Sequence, residues 1–267
     1  MYPRGDEQAV VKIPPSVSFE EACAVINPTV TAWHSLVELA RISQGEKILI
    51  HAASGATGQL AIQIAQMVGA EVFATVGYDH KKQLLINQYG IPADHIFYSR
   101  SNNATFAKGI MRMTNGYGVD VVLNSLVGEG LRASWECIAP YGRFIEIGKT
   151  DINANSALPM ACFANNATFA SVDIRHLFLH KKQSAKELLY KTMAMAGHGK
   201  IHHPKPLNIY DVGAVEDAFR YIQSGKNSGR VVIRIDPSAD VRVCTMFSLA
   251  LPFFSWYVIR LTHRRNT

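Results

Sequence analysis

The sequence has few cysteines, and none of them forms a recognisable pair. No Cys-x-x-Cys motif occurs in the 267 residues; the four cysteines are Cys23, Cys137, Cys162 and Cys244. This wide spacing excludes a disulfide framework and a cysteine-based structural zinc site. The chain is therefore expected in a reducing compartment, the cytoplasm.

The chain also lacks a large excess of either charge. There are 27 Lys and Arg against 21 Asp and Glu, which gives a net charge of +6. Half of this excess follows Asp236, where four arginines accompany one aspartate. The rest of the chain has no basic face with interleaved aromatic residues, and we expect no nucleic-acid partner. The first nine residues lack the apolar run of a signal peptide.

Long apolar runs are almost absent. The strongest candidate, 243–259, has seventeen residues without a charge, whereas a membrane helix needs about 20 apolar residues. Pro252 interrupts the run and weakens a helix. We therefore do not expect a membrane protein, and we interpret residues 237–267 as an apolar and basic tail outside the fold.

Hydrophobic residues make up 48% and charged residues 18%, as in a globular chain. An apolar run at 47–51 leads through a glycine-rich turn into an apolar helix and a second run at 71–76, which is a βαβ unit with parallel strands. Further strands are predicted at 94–98, 119–124, 142–147 and 167–172, with helices at 81–89, 104–113 and 128–138. We predict an α/β fold with a Rossmann-type, doubly wound parallel sheet.

The glycine-rich turn is the first candidate binding site. It consists of Ser54, Gly55, Ala56, Thr57 and Gly58. Small residues let the backbone approach a pyrophosphate, and the following helix offers free N–H groups to it. A tight bend without a ligand is the alternative for the turn by itself. Its place between a strand and a helix favours dinucleotide binding.

The end of the second strand bears on the choice between NAD and NADP. An acidic residue there would bind the ribose hydroxyls of NAD, and Asp79 lies two residues after Gly77. Asp79 also stands where a helix N-cap is expected, ahead of Lys81 and Lys82. The lysine pair, with Arg100 after the third strand, favours the 2′-phosphate of NADP. The alternative is a solvated helix start.

Two further polar residues follow predicted strands at the ligand edge of the sheet. Lys149 comes after Gly148 beyond the fifth strand, and Asp173 closes the sixth. A lysine at this edge can donate a proton or stabilise an enolate. It can equally be a solvated loop residue, and the two side chains can form an ion pair with or without a catalytic role.

Two histidine pairs suggest a metal site only at first sight. His202 and His203 are adjacent on an extended segment, so their side chains point to opposite sides. His176 and His180 are four residues apart on a plausible helix, but no third ligand is apparent. We therefore expect no bound metal.

Four segments resemble one known family, the enoyl reductase domains of fungal highly reducing polyketide synthases. They are HAASGATG at 51–58, IPADHIF at 91–97, GVDVVLNSL at 118–126 and GRFIEIGK at 142–149. Those domains belong to the medium-chain dehydrogenase/reductase superfamily. The resemblance runs from about Val10 to Ile235.

The resemblance implies an NADPH-dependent, zinc-independent reduction of an α,β-unsaturated thioester on an acyl carrier protein, in a parent or partner polyketide synthase. Hydride would add at the β-carbon, followed by protonation of the α-carbon. Lys149 and Asp173 match the family's candidate proton donors or enolate stabilisers. The implied cofactor residues are Ser54 to Gly58 for the pyrophosphate, Lys81 and Arg100 for the 2′-phosphate, and Asn124 and Ser125 beside the nicotinamide, with Gly77 and Gly148 in the same set.

The family also places a β-rich substrate domain before the dinucleotide fold, and only residues 10–24 resemble its exit segment. We interpret 1–29 as a remnant of that domain, 30–200 as the NADP-binding domain and 201–236 as a segment returning to the substrate domain. That segment should then pack on little and expose an apolar face. Two alternatives stay open: a truncated or inactive NADPH-binding module acting with a partner synthase, and a quinone or alkenal reductase with a free substrate.

Overall fold

A computed structural model of the chain describes residues 6–100 and 105–236. The helices are α1 (Phe19–Trp33), α2 (Ala56–Val68), α3 (Asp79–Tyr89), α4 (Thr105–Met113), α5 (Glu129–Trp135), α6 (Thr150–Asn153), α7 (Ile174–His180), α8 (Lys182–Gly197) and α9 (Val215–Gln223). The strands are β1 (Lys47–Ile50), β2 (Glu71–Val76), β3 (Ile96–Tyr98), β4 (Val119–Asn124), β5 (Ile138–Glu146), β6 (Thr168–Ser171), β7 (Leu207–Asp211) and β8 (Arg230–Arg234). A π-helical segment, His34–Leu39, follows α1.

The first six strands form one parallel sheet in the order β3-β2-β1-β4-β5-β6. The order reverses between β1 and β4, so the loops after these two strands run in opposite directions and leave a crevice at the carboxyl edge of the sheet. This is the doubly wound, Rossmann-type α/β fold, and the prediction of the fold class is confirmed.

The central strands are buried on both faces of the sheet. Ile48 and Ile50 of β1 pack in one apolar cluster with Leu60 of α2, whereas Leu49 packs in the other cluster with Trp135 of α5. Successive side chains of a strand point to opposite faces, which is why β1 is apolar at every position after Lys47. Burial of each such side chain contributes about 1.5–3 kcal/mol, so the sheet holds the loops at its carboxyl edge firmly.

Strand β5 begins earlier than the sequence predicts. The expected strand is 142–147 after a helix through residue 138, but the strand already starts at Ile138, which pairs with Val119 ahead of a shift in register. A Cβ atom on Gly142 would lie 2.5 Å from the Ile138 Cγ1 atom. Glycine is therefore required where the pairing of β5 with β4 shifts register.

The start of α3 differs as well. The N-cap residue is Tyr78 and the helix begins at Asp79, so the expectation that Asp79 is the N-cap is wrong. The Asp79 carboxylate instead accepts a hydrogen bond from the Tyr98 hydroxyl of β3. Strand β3 itself begins at Ile96 rather than at residue 94, because the three preceding residues form a 3-10 turn.

Helix α1 spans the expected boundary between residues 29 and 30. It begins with a capping box: Ser18 Oγ accepts from the Glu21 N–H at 3.2 Å, and the Glu21 carboxylate accepts from the Ser18 N–H at 3.0 Å. The helix packs against α2 and α8. Residues 19–29 therefore lie in the same packed body as the large sheet.

Residues 201–236 contribute a second sheet, in which β7 pairs with β8 in parallel. Ile201 is 2% exposed, and the Gly229 N–H donates to the Ser54 carbonyl at 2.9 Å. The expectation that this segment packs on little is therefore wrong. Apolar side chains are nevertheless exposed on it, as expected, with Ile209 at 39% and Ile235 at 45%.

The helices and cysteines of the described ranges bear on membrane spans and disulfides. Within residues 6–100 and 105–236, no helix has the length and apolar character to cross a membrane, and the run at 243–259 lies outside those ranges. Cys23, Cys137 and Cys162 are free thiols.

A forked ion pair at the amino edge of the sheet allows a test of stability. Arg143 of β5 donates to both carboxylate oxygens of Glu46, at 2.9 and 2.6 Å, and its Nε donates to the Ala40 carbonyl at 2.8 Å. Arg143→Met should lower the free energy of unfolding by about 2 kcal/mol, because the Ala40 carbonyl loses its donor and the half-buried Glu46 carboxylate loses the guanidinium, although it keeps the Ser43 N–H at 2.8 Å.

Urea unfolding measures this loss. The control is Arg220→Met, which removes an exposed pair with Glu216 and should leave the unfolding midpoint unchanged. Equal midpoints for wild type and Arg143→Met would contradict the prediction.

Candidate active site

The glycine-rich turn lies at the carboxyl end of β1 and the N-terminus of α2. Gly55 is the N-cap and supplies no side-chain acceptor to the first helical N–H groups. A Cβ atom on Gly58 would lie 2.6 Å from Ala53 Cα and 2.7 Å from the Ala52 carbonyl oxygen. Helix α2 can therefore approach the turn closely only because residue 58 is glycine. The exposed N–H groups and helix dipole suit an anion.

A buried glutamine joins this turn to the returning segment. Gln59 is fully buried, and its Nε2 donates to the carbonyls of Ser54 at 2.7 Å and Lys205 at 2.6 Å. Its Oε1 accepts from the Lys205 N–H at 2.8 Å and from the Tyr89 hydroxyl at 2.6 Å. The sequence analysis missed this residue, since nothing local marks a helix glutamine as a link to residue 205.

Lys81 and Arg100 lie together at the end of β2. The Lys81 Nζ donates to the Gly225 carbonyl at 3.0 Å. The Arg100 guanidinium lies 4.4 Å from the centre of the Tyr78 ring and donates to its hydroxyl. A Cβ atom on Gly77 would lie 3.0 Å from Arg100 Nε, so glycine makes room for the guanidinium.

These two cations suit an anion of the cofactor. Burial lowers the pKa of Lys81, and the neighbouring positive charge of Arg100 lowers it further. In the described part of the chain, neither side chain forms an ion pair. Lys82 Nζ donates at 3.1 Å to the carbonyl of Ile96, the first residue of β3, and not to the turn at Gly225 that Lys81 contacts. The expectation of a lysine pair at this corner is therefore wrong.

Asn124 and Glu146 end the neighbouring strands β4 and β5. Asn124 is fully buried, and its Nδ2 donates to the Glu146 carboxylate and to the Leu126 carbonyl. The other carboxylate oxygen accepts from the Gly148 N–H at 2.5 Å. Burial raises the pKa of Glu146 to about 7. The sequence analysis did not single out Glu146, although a carboxyl inside the apolar run FIEI is an unusual residue for a buried strand.

Lys149 and Asp173 meet just beyond β5 and β6, as an ion pair between Lys149 Nζ and Asp173 Oδ2. Asp173 is the N-cap of α7, and its other oxygen accepts from the Arg175 N–H at 2.9 Å. Partial burial raises the pKa of Asp173, but the hydrogen bonds from Lys149 and Arg175 outweigh burial, and the pKa lies below its usual value. The lysine side chain remains 49% exposed, so its ammonium group can reach a bound molecule.

His51 is a third residue, after Gln59 and Glu146, that no pattern in the sequence marks as part of the site. It is 3% exposed, and its Nε2 and Nδ1 lie 2.7 Å from Ser134 Oγ and 2.8 Å from Thr75 Oγ1. The Ser134 hydroxyl donates to the Gly130 carbonyl, so it accepts from His51 Nε2–H. Burial lowers the pKa of His51 to about 3. The ring is therefore neutral and braces the carboxyl end of β1.

Two comparisons with known proteins agree with this geometry. Residues 91–233 match the family described as zinc-binding dehydrogenase. The nucleotide-binding subdomain of the enoylreductase domain of PpsC from Mycobacterium tuberculosis is 41% identical, with a TM-score of 0.59 over 66% of this chain and 95% of that one. The chain belongs to the enoyl reductase domains of this dehydrogenase family.

Longer relatives of this enoyl reductase domain are also known. The CurF ER cyclopropanase from the curacin A biosynthetic pathway is 33% identical, with a TM-score of 0.78 over 87% of this chain and 67% of that one. The highly reducing polyketide synthase tstA of Talaromyces stipitatus is 46% identical over 88% of this chain, and the squalestatin tetraketide synthase of a Phoma species is 48% identical over 89%. The domain spans 9% of each synthase. The resemblance noted in the sequence is confirmed.

Zinc does not fit the described part of the enoyl reductase domain. Across residues 6–100 and 105–236, no group of three or more His, Cys, Asp or Glu side chains could hold a metal ion. The rings of His176 and His180 are 5.6 Å apart, and the acidic neighbour of His176 is Asp173, which Lys149 already binds. A nicotinamide dinucleotide does fit, because the turn at Gly58 and the two cations offer sites for its phosphates.

Proposed function

We propose that the chain is an NADPH-dependent enoyl reductase of polyketide biosynthesis. Its substrate would be an α,β-unsaturated acyl thioester on an acyl carrier protein of a parent or partner synthase. The observation that carries this proposal is the ion pair of Lys149 with Asp173, which holds an accessible ammonium group at the carboxyl edge of a dinucleotide-binding sheet. Relatives of this domain are parts of polyketide synthases, which supports the thioester as substrate.

Three groups of residues would hold the cofactor. Ser54 to Gly58 would bind the pyrophosphate, Lys81 and Arg100 the 2′-phosphate, and Asn124, Ser125 and Gly148 would lie on the nicotinamide side, with Gly77 leaving room for Arg100. When bound, NADPH supplies the hydride for the β-carbon. The pair of cations supports NADPH over NADH, because the negatively charged 2′-phosphate forms ion-paired hydrogen bonds there, which are stronger than those accepted by the neutral ribose hydroxyl of NADH.

Lys149 would assist protonation of the α-carbon. Its ammonium can stabilise the enolate oxygen, or donate a proton from Nζ to the α-carbon and regain one from water. Asp173 orients the ammonium, and the lowered pKa of Asp173 keeps its carboxylate ionised at neutral pH. These roles are the ones that the sequence resemblance implies for both residues.

The chain would work with a second domain. Within residues 6–100 and 105–236, strands β7 and β8 form a separate parallel sheet of two strands. Such a small sheet gains stability from further strands or a covering element, which supports residues 201–236 as part of a substrate domain and 30–200 as the NADP-binding domain. For residues 1–29 that assignment rests on the sequence resemblance alone, because α1 packs against α2 and α8. The free thiols of Cys23, Cys137 and Cys162 support a reducing compartment, the cytoplasm.

The direct test is an assay for reduction of crotonyl-CoA, monitored through the loss of NADPH absorbance. Lys149→Ala should lower kcat about tenfold and change KM for NADPH less than about twofold, since water can replace an exposed proton donor only in part. The control is Lys182→Ala, which removes an ion pair with Asp6 of similar exposure elsewhere on the surface and should leave kcat unchanged.

Other outcomes would identify the two alternatives. NADPH binding by fluorescence without turnover of any thioester, even at high protein concentration, would indicate a binding module. Reduction of free enones or quinones with no activity on crotonyl-CoA would indicate a quinone or alkenal reductase. An unchanged kcat in Lys149→Ala would remove that lysine from the mechanism.

A further inference from the structure

A buried carboxyl group links the ends of β4 and β5. Glu146 is 2% exposed and pairs in register with Asn124. One carboxylate oxygen accepts from Asn124 Nδ2, and the other accepts from the Gly148 N–H at 2.5 Å. Asn124 also holds both backbone groups of Leu126, with its Nδ2 donating to the carbonyl at 2.9 Å and its Oδ1 accepting from the N–H at 3.3 Å.

This arrangement is costly for the fold by itself. A buried carboxylate loses its hydration, and two hydrogen bonds only partly repay that loss. The raised pKa of Glu146, about 7, shows the same imbalance. An apolar side chain at the end of β5 would complete the core without this cost. The role of the Glu146 carboxyl group must therefore lie in the groups to which it is hydrogen-bonded.

What Glu146 holds is the backbone ahead of Lys149. A Cβ atom on Gly148 would lie 2.6 Å from Glu146 Oε1, so the carboxylate lies directly against the turn. The residue after that turn is Lys149, which reaches Asp173. Through Asn124, the same group holds the backbone that follows β4, at Leu126. The loop after β4 borders the switch point between β1 and β4, and the loop after β5 lies next to it at the same carboxyl edge, where a dinucleotide fold binds its ligand.

We propose that Glu146 is a positioning residue of the reductase: its carboxylate, paired with Asn124, fixes the Gly148 turn and so sets where Lys149 meets the substrate. This inference rests on the proposed function. In this role Glu146 acts through the turn and does not itself contact the substrate. Misplacement of a reacting group by about 1 Å is enough to slow an enzyme severely.

Protonation of Glu146 should weaken this arrangement. The acid form carries a hydroxyl, which is a donor, in a site where both oxygens face N–H donors. The charged group that faces Glu146 from α6 is Asp151, whose negative charge raises the pKa further, while the charge of Lys149 is engaged with Asp173. The reductase should therefore lose activity as the pH falls below about 7, the pKa of Glu146.

The experiment compares Glu146→Gln with the wild type in crotonyl-CoA reduction. We expect about a tenfold lower kcat, a KM for NADPH within about twofold, and loss of the inflection near neutral pH. In Glu146→Gln one carboxylate oxygen becomes an NH2 group, so an N–H donor would face the N–H donor of either Asn124 or Gly148. The double variant Asn124→Asp/Glu146→Gln restores a donor and acceptor in reversed order and should recover part of the lost kcat, because the donation to the Leu126 carbonyl stays missing.

The control is Glu46→Gln, which removes a carboxylate from the pair with Arg143 at the opposite edge of the sheet. It should lower stability and leave the pH profile unchanged. Wild-type kcat and pH profile in Glu146→Gln, or an equal change in Glu46→Gln, would overturn the proposal and leave Glu146 a purely structural residue.

Hydrogen exchange of the Gly148 amide separates this inference from the proposed function. If the wild type reduces no thioester, the function fails, but faster exchange at Gly148 in Glu146→Gln still supports the positioning of the turn. Unchanged exchange at Gly148 overturns it in either case, since the N–H would then have another acceptor.

Discussion

Gly58→Ala should weaken dinucleotide binding at least about a hundredfold and lower the free energy of unfolding by about 3 kcal/mol. The added methyl group would lie 2.6 Å from Ala53 Cα and 2.7 Å from the carbonyl oxygens of Ala52 and Ala53. All three are backbone atoms, so no side-chain rotation relieves the overlap. The N-terminus of α2 must move away from the turn, and the N–H groups for the pyrophosphate move with it.

Fluorescence titration with NADPH and urea unfolding measure the two effects. We expect the Kd for NADPH to rise at least about a hundredfold. The control is Gly197→Ala at the end of α8, where the nearest atoms belong to the Pro14 side chain at 3.0 Å and can give way. This control should bind NADPH like the wild type. Equal affinity in Gly58→Ala would show that the close approach of α2 is not needed for binding.

Lys81→Met combined with Arg100→Met should lower the preference for NADPH over NADH about a hundredfold, with each single variant near tenfold. Each cation would form an ion-paired hydrogen bond with the 2′-phosphate, whereas NADH offers only a neutral hydroxyl. Methionine keeps the buried stem of Lys81, which lies against the turn at Gly225, so packing is largely preserved. The measurement is the ratio of kcat/KM for the two cofactors, at fixed salt.

Lys82→Met is the matched control for this pair. Lys82 is next in sequence to Lys81, but its ammonium group bonds the Ile96 carbonyl of β3. Its replacement should leave the cofactor ratio unchanged. A ratio that falls equally in Lys82→Met would mean that the net charge of the surface, and not a defined corner, selects the cofactor.

Much of the fold could be predicted because its signals are local. Six apolar runs separated by helical patterns are enough to predict a doubly wound sheet, and the sheet has that form. The early start of β5 could not be predicted, because it depends on pairing of Ile138 with Val119, nineteen residues earlier in the chain. The sequence around residue 138 resembles the end of a helix until that partner is known.

The candidate site was predictable to the same extent. Residues at strand ends share one edge of a parallel sheet, so the meeting of Lys149 and Asp173 follows from topology. The direction of Lys82 does not follow, since consecutive helix residues point different ways and the acceptor on β3 is a backbone carbonyl. Glu146 was overlooked because its partners Asn124 and Gly148 become visible only in three dimensions.

The returning segment contacts both groups of residues that we propose bind the cofactor phosphates. Gly229 donates to the Ser54 carbonyl of the glycine-rich turn, and Gly225 accepts from Lys81. Detachment of this one segment would break both contacts together. Attachment of the segment and binding of the cofactor should therefore be linked equilibria. A cofactor at about 100 times its Kd stabilises the state that binds it by about 2.7 kcal/mol. A higher concentration of reduced dinucleotide should therefore lower the rate at which a protease cleaves residues 201–236.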